Sequence, residues 1–236
     1  MPEPLSLFLH TGRLIAGAPL RSRRWTARQW AWRAAFASVV ALAYYEKRPL
    51  QALIQGNGGP TARAVAEFIN DNASGVGMTG LILGSYAVGA LFRKKPIKQT
   101  SVVLCVGAIW AALLWSAGRL ILAEHRPVYG GDMHFFALDG HGFSGHEAVA
   151  AVILLPVRSV LLRHSPRLTR SALTATIVGW MALVGWSRVF LGMHFGWNIL
   201  SGLAVGLWAG AAAVEAYQEF PERKAALARD ITPTAR

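Results

Sequence analysis

Residues 100–123 read TSVVLCVGAIWAALLWSAGRLILA, an apolar stretch in which Arg119 is the one charged residue. An α-helix rises about 1.5 Å per residue, so about 20 such residues cross the roughly 30 Å hydrocarbon core of a bilayer. The stretch therefore predicts a membrane-spanning helix with its arginine close to one end.

Five other apolar runs have the same character and set the fold class. They lie near 30–45, 75–92, 146–162, 171–191 and 195–218. With 100–123 they predict an all-α, six-transmembrane-helix bundle. Arg33 weakens the first run, and Pro156 with Arg158 predicts that the fourth kinks or leaves the bilayer early.

The domain organisation follows from these runs. We expect a single membrane domain over 1–236, with a cytoplasmic arm at 1–29, the six-helix core at 30–218 and a cytoplasmic tail at 219–236. Within the arm, Leu5 to Ala16 is predicted to lie on the cytoplasmic surface as a short amphipathic helix.

Composition supports a membrane protein. Hydrophobic residues make up 53% of the 236 residues and charged residues only 15%, whereas soluble domains carry roughly a quarter charged residues. Disorder is excluded, and a water-soluble fold is disfavoured. Cys105 is the one cysteine, which excludes a disulfide framework and a cysteine-based metal site.

The distribution of positive charge predicts the topology. Lysine and arginine number 24 against 12 acidic residues, and they concentrate before the first run and in the loops 93–99 and 163–170. The positive-inside rule assigns these segments and both termini to the cytoplasm. Loops 46–74 and 124–145 then face outward, and nucleic acid is excluded as the partner. The expected location is a bacterial cytoplasmic (inner) membrane.

Polar residues gather at the predicted outer ends of four consecutive helices. Three arginines can hold phosphate oxygens with their planar forks. A Ser-Gly pair at a helix start adds backbone N–H groups and the positive end of the helix dipole. The sequence therefore predicts a phosphate site formed by Arg119, Arg126, Ser144, Gly145 and Arg188.

The polar residues at these helix ends include two histidines, which indicate catalysis rather than phosphate binding alone. His146 follows the Ser-Gly pair, and His194 precedes the sixth run. One neutral imidazole can attack phosphorus while the other, protonated, supplies a proton to the departing oxygen. The nearby carboxylates lack metal-ligand spacing, so we expect neither a metal nor another cofactor.

At these residues the sequence resembles the type 2 phosphatidic acid phosphatase family of integral membrane lipid phosphatases. That family is written as Lys-x6-Arg-Pro, Pro-Ser-Gly-His and Ser-Arg-x5-His-x3-Asp. The chain has Arg119-x6-Arg126-Pro127, Phe143-Ser144-Gly145-His146 and Ser187-Arg188-x5-His194-x3-Asn198. Spacing and order agree throughout.

The resemblance implies a role for each residue. His194 would be the nucleophile that forms a phosphohistidine, and His146 would protonate the leaving group. The substrate's phosphate oxygens would be held by the arginines, Ser144 and the N–H of Gly145. Three positions differ from the pattern: Arg119 keeps the charge, Phe143 changes the turn before the fourth helix, and Asn198 replaces an aspartate.

Asn198 is the departure with chemical consequences. At i+4 on a helix it is expected to reach the ring of His194 and fix which nitrogen carries the proton, but without a negative charge. The enzyme could be slow, or Asp132, Asp139 or Glu124 could supply the charge. It could also transfer the phosphoryl group between lipids, or bind phosphate without chemistry.

The sequence therefore predicts a metal-independent membrane lipid phosphatase with its site facing the periplasm. Its substrate would be a lipid phosphomonoester or pyrophosphate, such as undecaprenyl pyrophosphate, phosphatidylglycerol phosphate, phosphatidic acid or lipid A phosphate. The alternatives are a lipid-to-lipid phosphotransferase and a non-catalytic phospholipid-binding or transport protein.

Overall fold

The chain is almost entirely helical in a computed structural model that describes residues 3–21, 26–56, 58–127, 133–135 and 142–231. Asp132 and Asp139, named above, lie outside these residues. The helices are α1 Pro4–Arg21, α2 Ala27–Tyr45, α3 Lys47–Gly56, α4 Pro60–Asn72, α5 Gly75–Leu91, α6 Lys95–Ile121, α7 Gly145–Val152, α8 Leu154–Pro156, α9 Arg167–Phe190 and α10 Gly196–Ile231. A π-helical turn, Val157–Leu161, follows α8, and two short strands, β1 Leu122–Glu124 and β2 Met133–Phe135, pair antiparallel.

Among the described residues, three helices are long and apolar enough to cross a membrane: α6, α9 and the Gly196–Phe220 part of α10. They match the predicted runs 100–123, 171–191 and 195–218. Helices α4 and α5, bent by 55°, pass the same test as a pair, which gives up to four spans. The all-helical membrane fold is confirmed, while the count of six and the orientation of the termini stay predictions.

The two remaining predicted runs are helical but are not among the helices that pass this test. Run 30–45 lies in α2, where Arg28 and Arg33 dilute the apolar residues. Run 146–162 is divided among α7, α8 and the π-helical turn. The break coincides with Pro156, which has no N–H to donate to the preceding turn, as its position in the run predicted.

The centre of the bundle is a close contact between α7 and α10. A Cβ atom on Gly202 would lie 2.4 Å from the carbonyl oxygen of Ser144, and one on Gly206 would lie 2.1 Å from that of Ala148. Real Cβ atoms do not approach so closely, so only glycine lets the two backbones meet here. Small residues at helix contacts are typical of membrane bundles.

The segment predicted as the first outer loop is largely helical. Helices α3 and α4 both pack against α9, and the Gln55 amide donates to the carbonyl of Phe190 at 3.2 Å. The turn between α3 and α4 ends at Pro60, the first residue of α4. These helices add side chains to the end of the bundle where the motif residues lie.

Helix α1 is packed into the bundle. Leu7 and Thr11 are fully buried, the ring of Phe8 stacks on Trp110 at 4.9 Å, and the Trp110 indole N–H donates to the carbonyl of Phe8 at 3.0 Å. His10 contacts Glu219 of α10 at 2.7 Å. The predicted helix is present, but it is an integral part of the core rather than a surface element.

Substitution at Gly12 tests the docking of α1. A Cβ there would lie 2.3 Å from Cζ2 of Trp110, whereas Gly17 in the same helix has no such neighbour within 4 Å. We expect Gly12→Ala to lower the free energy of unfolding by about 1–3 kcal/mol through overpacking. The matched control Gly17→Ala should leave it unchanged or raise it by up to about 1 kcal/mol, because alanine favours helix.

Thermal unfolding of the purified protein in detergent measures both variants. Equal stability of the two would show that α1 does not pack on Trp110 in solution.

Candidate active site

The first motif lies at the end of α6 and in the chain that follows it. Arg119 is in the last turn of α6, and its guanidinium lies 5.9 Å from the ring centre of Trp115. Arg126 follows strand β1, and its Nη1 contacts the Met193 sulfur at 3.2 Å. The first motif therefore reaches the chain segment that carries His194.

The second motif forms the start of α7. Ser144 is the N-cap residue, and its hydroxyl accepts from the N–H of Glu147 at 3.4 Å. Gly145 and His146 occupy the first turn, where backbone N–H groups have no acceptor within the helix. The predicted helix start at Ser144 is confirmed, with its hydroxyl used as the cap.

The departure at Phe143 has a structural counterpart. The Phe143 carbonyl accepts from the Trp115 indole N–H at 2.8 Å, and its ring packs edge-on against Trp197. The same ring covers Gly118, where an added Cβ would lie 2.3 Å from it. Aromatic packing thus fixes a turn for which the motif pattern has a proline.

The third motif places Arg188 in the last turn of α9 and His194 in the turn before α10. Gly192 has a φ of 68°, the left-handed conformation with which helices commonly end. The backbone N–H groups of Met193 and His194 both donate to the carbonyl of Arg188, at 3.0 and 3.2 Å. Arg188 and His194 are therefore held in one compact turn.

One cavity of about 400 Å³ collects most of the predicted site. Its polar lining comprises Arg119, Arg126, Gly145, His146, Arg188 and His194. Its apolar lining includes Ala111, Ala112, Trp115, Ala148 and Val149. The cavity thus joins a strongly basic end to an apolar wall made by α6 and α7.

Two predicted site residues lie elsewhere. Ser144 is fully buried and caps α7 from behind the cavity. Asn198 is 1% exposed and does not share a helix face with His194, because α10 begins at Gly196. The expected i, i+4 relation between His194 and Asn198 is therefore wrong.

The charge in this cavity favours an anion. Three guanidinium groups line it, and Arg188 is only 5% exposed. Like charges repel more strongly where water is scarce. A bound dianion would reverse that repulsion while each arginine contributes a charge-assisted hydrogen bond.

Two residues that line or brace the cavity lie outside the three sequence motifs. Asn70 of α4 accepts a hydrogen bond from the guanidinium of Arg188, and Trp115 both lines the cavity and holds the Phe143 carbonyl. Both lie in stretches with no motif. For Trp115 the only signal was its position one turn before Arg119 on α6.

Within the described part of the chain, no three His, Cys, Asp or Glu side chains group as a metal site would require. The cavity's polar lining consists of arginine, histidine and backbone groups. These groups are suited to binding phosphate oxygens. The absence of a metal requirement stays a prediction.

Orthovanadate, a phosphate mimic, tests the anion site. We expect it to raise the unfolding temperature of the wild-type protein and Arg188→Ala to weaken its apparent affinity roughly 10- to 100-fold, since hydrogen bonds to charged groups contribute about 1.5–3 kcal/mol. Arg167→Ala, an exposed arginine at the other end of α9, is the matched control and should bind as wild type. Equal loss in both variants would mean that vanadate binds by general charge attraction.

Comparison with known proteins agrees with this geometry. The family model of the PAP2 superfamily matches residues 130–222. A 22.5 kDa protein in the cps region of Klebsiella pneumoniae is 32% identical over 124 residues, which cover 51% of this chain and 56% of that protein. The chain thus spans little more than half the length of this curated relative.

Two solved structures have a similar fold. Aquifex aeolicus LpxE matches with a TM-score of 0.55 and 20% identity, covering 72% of this chain and 94% of that one. A transmembrane PAP2-type phosphatidylglycerolphosphate phosphatase from Bacillus subtilis matches with a TM-score of 0.53 and 22% identity, covering 93% and 97%. The match of residues 130–222 to the PAP2 superfamily model confirms the resemblance seen in the three motifs, and the two solved structures show that the fold is shared.

Proposed function

We propose that this protein is a membrane lipid phosphatase that hydrolyses a lipid phosphomonoester or pyrophosphate through a phosphohistidine at His194. The observation that carries the proposal is the single cavity that contains three arginines and two histidines at one end and an apolar wall along its side. Such a cavity matches a ligand whose anionic end is attached to a hydrocarbon chain.

The arginines and the start of α7 would bind the phosphate. Arg119, Arg126 and Arg188 would each donate to its oxygens, and the N–H groups of Gly145 and His146 would add the positive end of the helix dipole. Phosphoryl transfer depends mainly on alignment and charge stabilisation. This set of donors supplies both.

The first chemical step would form a nitrogen–phosphorus bond. The Nδ1 atom of His194 is buried, so Nε2 is the atom that would attack phosphorus from the cavity. As the bond from phosphorus to the lipid oxygen breaks, that oxygen would take a proton from His146. The products of this step are the free lipid, an alcohol or a monophosphate, and phosphohistidine.

The second step would return the enzyme to its starting state. Water would attack the phosphohistidine while His146 accepts one of its protons, and the nitrogen–phosphorus bond would break to release inorganic phosphate. His146 is then protonated again and His194 is neutral. The two steps balance in atoms and electrons, with the lipid phosphate and water as the reactants.

The relatives support lipid phosphate as the substrate class. The similar Bacillus subtilis structure is named as a phosphatidylglycerolphosphate phosphatase. Phosphatidylglycerol phosphate, phosphatidic acid, undecaprenyl pyrophosphate and lipid A phosphate all carry the required headgroup on an apolar chain. We place the site on the periplasmic face of the bacterial inner membrane, six helices spanning the bilayer, on the evidence of the basic loops.

Phosphate release from these four lipids by the purified protein tests the proposal. We expect release from at least one of them, and His194→Ala should lower the rate by at least roughly 10³-fold, because it removes the nucleophile. His164→Ala, an exposed histidine in the turn before α9, is the matched control and should retain wild-type activity.

Other results would select another function. Labelled phosphate that appears on a second lipid instead of in water would indicate a phosphotransferase. Lipid phosphate that is bound but unchanged would indicate a binding protein.

Substrates with different leaving groups test whether His146 acts as the acid. With an alkyl phosphate, His146→Ala should slow release by on the order of 10²–10⁴-fold, because the departing alkoxide needs a proton. With an aryl phosphate, whose phenolate leaves without that proton, the loss should be much smaller. An equal loss with both substrates would assign His146 to phosphate binding rather than to acid catalysis.

A further inference from the structure

A buried carboxylate lies behind the site and is shared by three donors. Glu124 is 1% exposed, and its Oε1 accepts from the Lys47 ammonium at 2.7 Å. Its Oε2 accepts from the Trp197 indole N–H at 2.9 Å and from the Asn198 amide at 3.1 Å. Lys47 also lies over the ring of Phe195, 4.9 Å from its centre.

The hydrogen bonds of the Asn198 amide require asparagine at this position. Its Nδ2 donates to Glu124 and to the carbonyl of Gly142 at 2.8 Å, while its Oδ1 accepts from the N–H of Phe195 at 2.7 Å. An aspartate could accept from Phe195 in the same way. Its second oxygen would then face a carboxylate and a carbonyl, with no proton to share and with like charge against Glu124.

The same contacts connect the segments that carry the two histidines. Gly142 lies four residues before His146, and the Ser144 N–H donates to the carbonyl of Asn198 at 2.9 Å. Phe195 follows His194 directly, and Glu124 lies two residues before Arg126. One buried unit therefore joins all three motif segments to the start of α3.

We propose that Glu124, Asn198 and Lys47 act together as a positioning unit for His194 and His146. The proposal rests on the proposed phosphatase function. In this positioning unit, the negative charge that orders the His194 turn belongs to Glu124. Asparagine at position 198 is the required partner of that carboxylate. Lys47 neutralises the buried charge, and none of the three touches the substrate.

A double-mutant cycle between positions 198 and 124 tests the unit. Asn198→Asp alone should lower kcat by about 30- to 100-fold with little change in KM, because the histidines lose their alignment while the arginines remain. Its unfolding temperature should fall by roughly 5 °C. In combination with Glu124→Gln, the new amide at position 124 can donate to the carboxylate introduced at position 198, while the Trp197 indole N–H loses its acceptor. Both quantities should therefore recover in part and exceed those of Asn198→Asp alone.

Asn72→Asp, an exposed asparagine at the end of α4, is the matched control. Its effects should simply add to those of Glu124→Gln, without rescue. Lys47→Met should lower kcat and stability because it leaves the Glu124 charge buried alone. Glu124→Gln should restore part of that loss.

Two results would overturn the proposal. The first is that Asn198→Asp raises turnover, which would mean that aspartate serves the reaction better than asparagine at this position. The second is that the double variant is no better than the worse single variant. If the wild type releases no phosphate from any lipid, the proposed function fails. The unfolding temperatures still decide whether positions 124 and 198 are coupled.

Discussion

The contact between the backbones of α7 and α10 is the constraint on which the site depends. Glycines at 202 and 206 let the two helices approach until backbone carbonyls take the space of side chains, and the N–H of Ser144 donates directly to the carbonyl of Asn198. His146 lies in the first turn of α7, and His194 lies two residues before α10. The backbone positions of the two histidines are therefore tied together by the packing of these helices.

The positive charge around the two histidines comes from groups at helix ends. Arg119 and Arg188 lie in the last turns of α6 and α9, and Gly145 lies in the first turn of α7. Helix ends already present backbone groups without helical partners. Arginines at these positions can reach the cavity without leaving charge in the apolar middle of the bundle, where it would be costly.

A second layer of polar groups, partly or fully buried, supports the first. Asn70 holds Arg188, Trp115 holds the turn at Phe143, and the unit of Glu124, Asn198 and Lys47 joins the three motif segments. Alignment of reacting groups to fractions of an ångström accounts for much of the rate in phosphoryl transfer. Of these supporting residues, Glu124 and Asn198 are as buried as the hydrophobic core, at 1% exposure each.

Local signals made much of the fold predictable. The runs 100–123, 171–191 and 195–218 correspond to α6, α9 and α10, because length and hydropathy are properties of a segment by itself. Run 146–162 failed as one helix because Pro156 and the π-helical turn divide it. The burial of α1 was missed because its partners, Trp110 and Glu219, are distant in sequence.

The sequence by itself determined that this is a helical membrane protein and which arginines and histidines meet at one end of it, since hydropathy and motif spacing are local. Only the tertiary structure decided the partners of Asn198. The carboxylate that it contacts, Glu124, lies 74 residues away along the chain, and no pattern of spacing connects two such positions. Packing alone brings them within hydrogen-bonding distance.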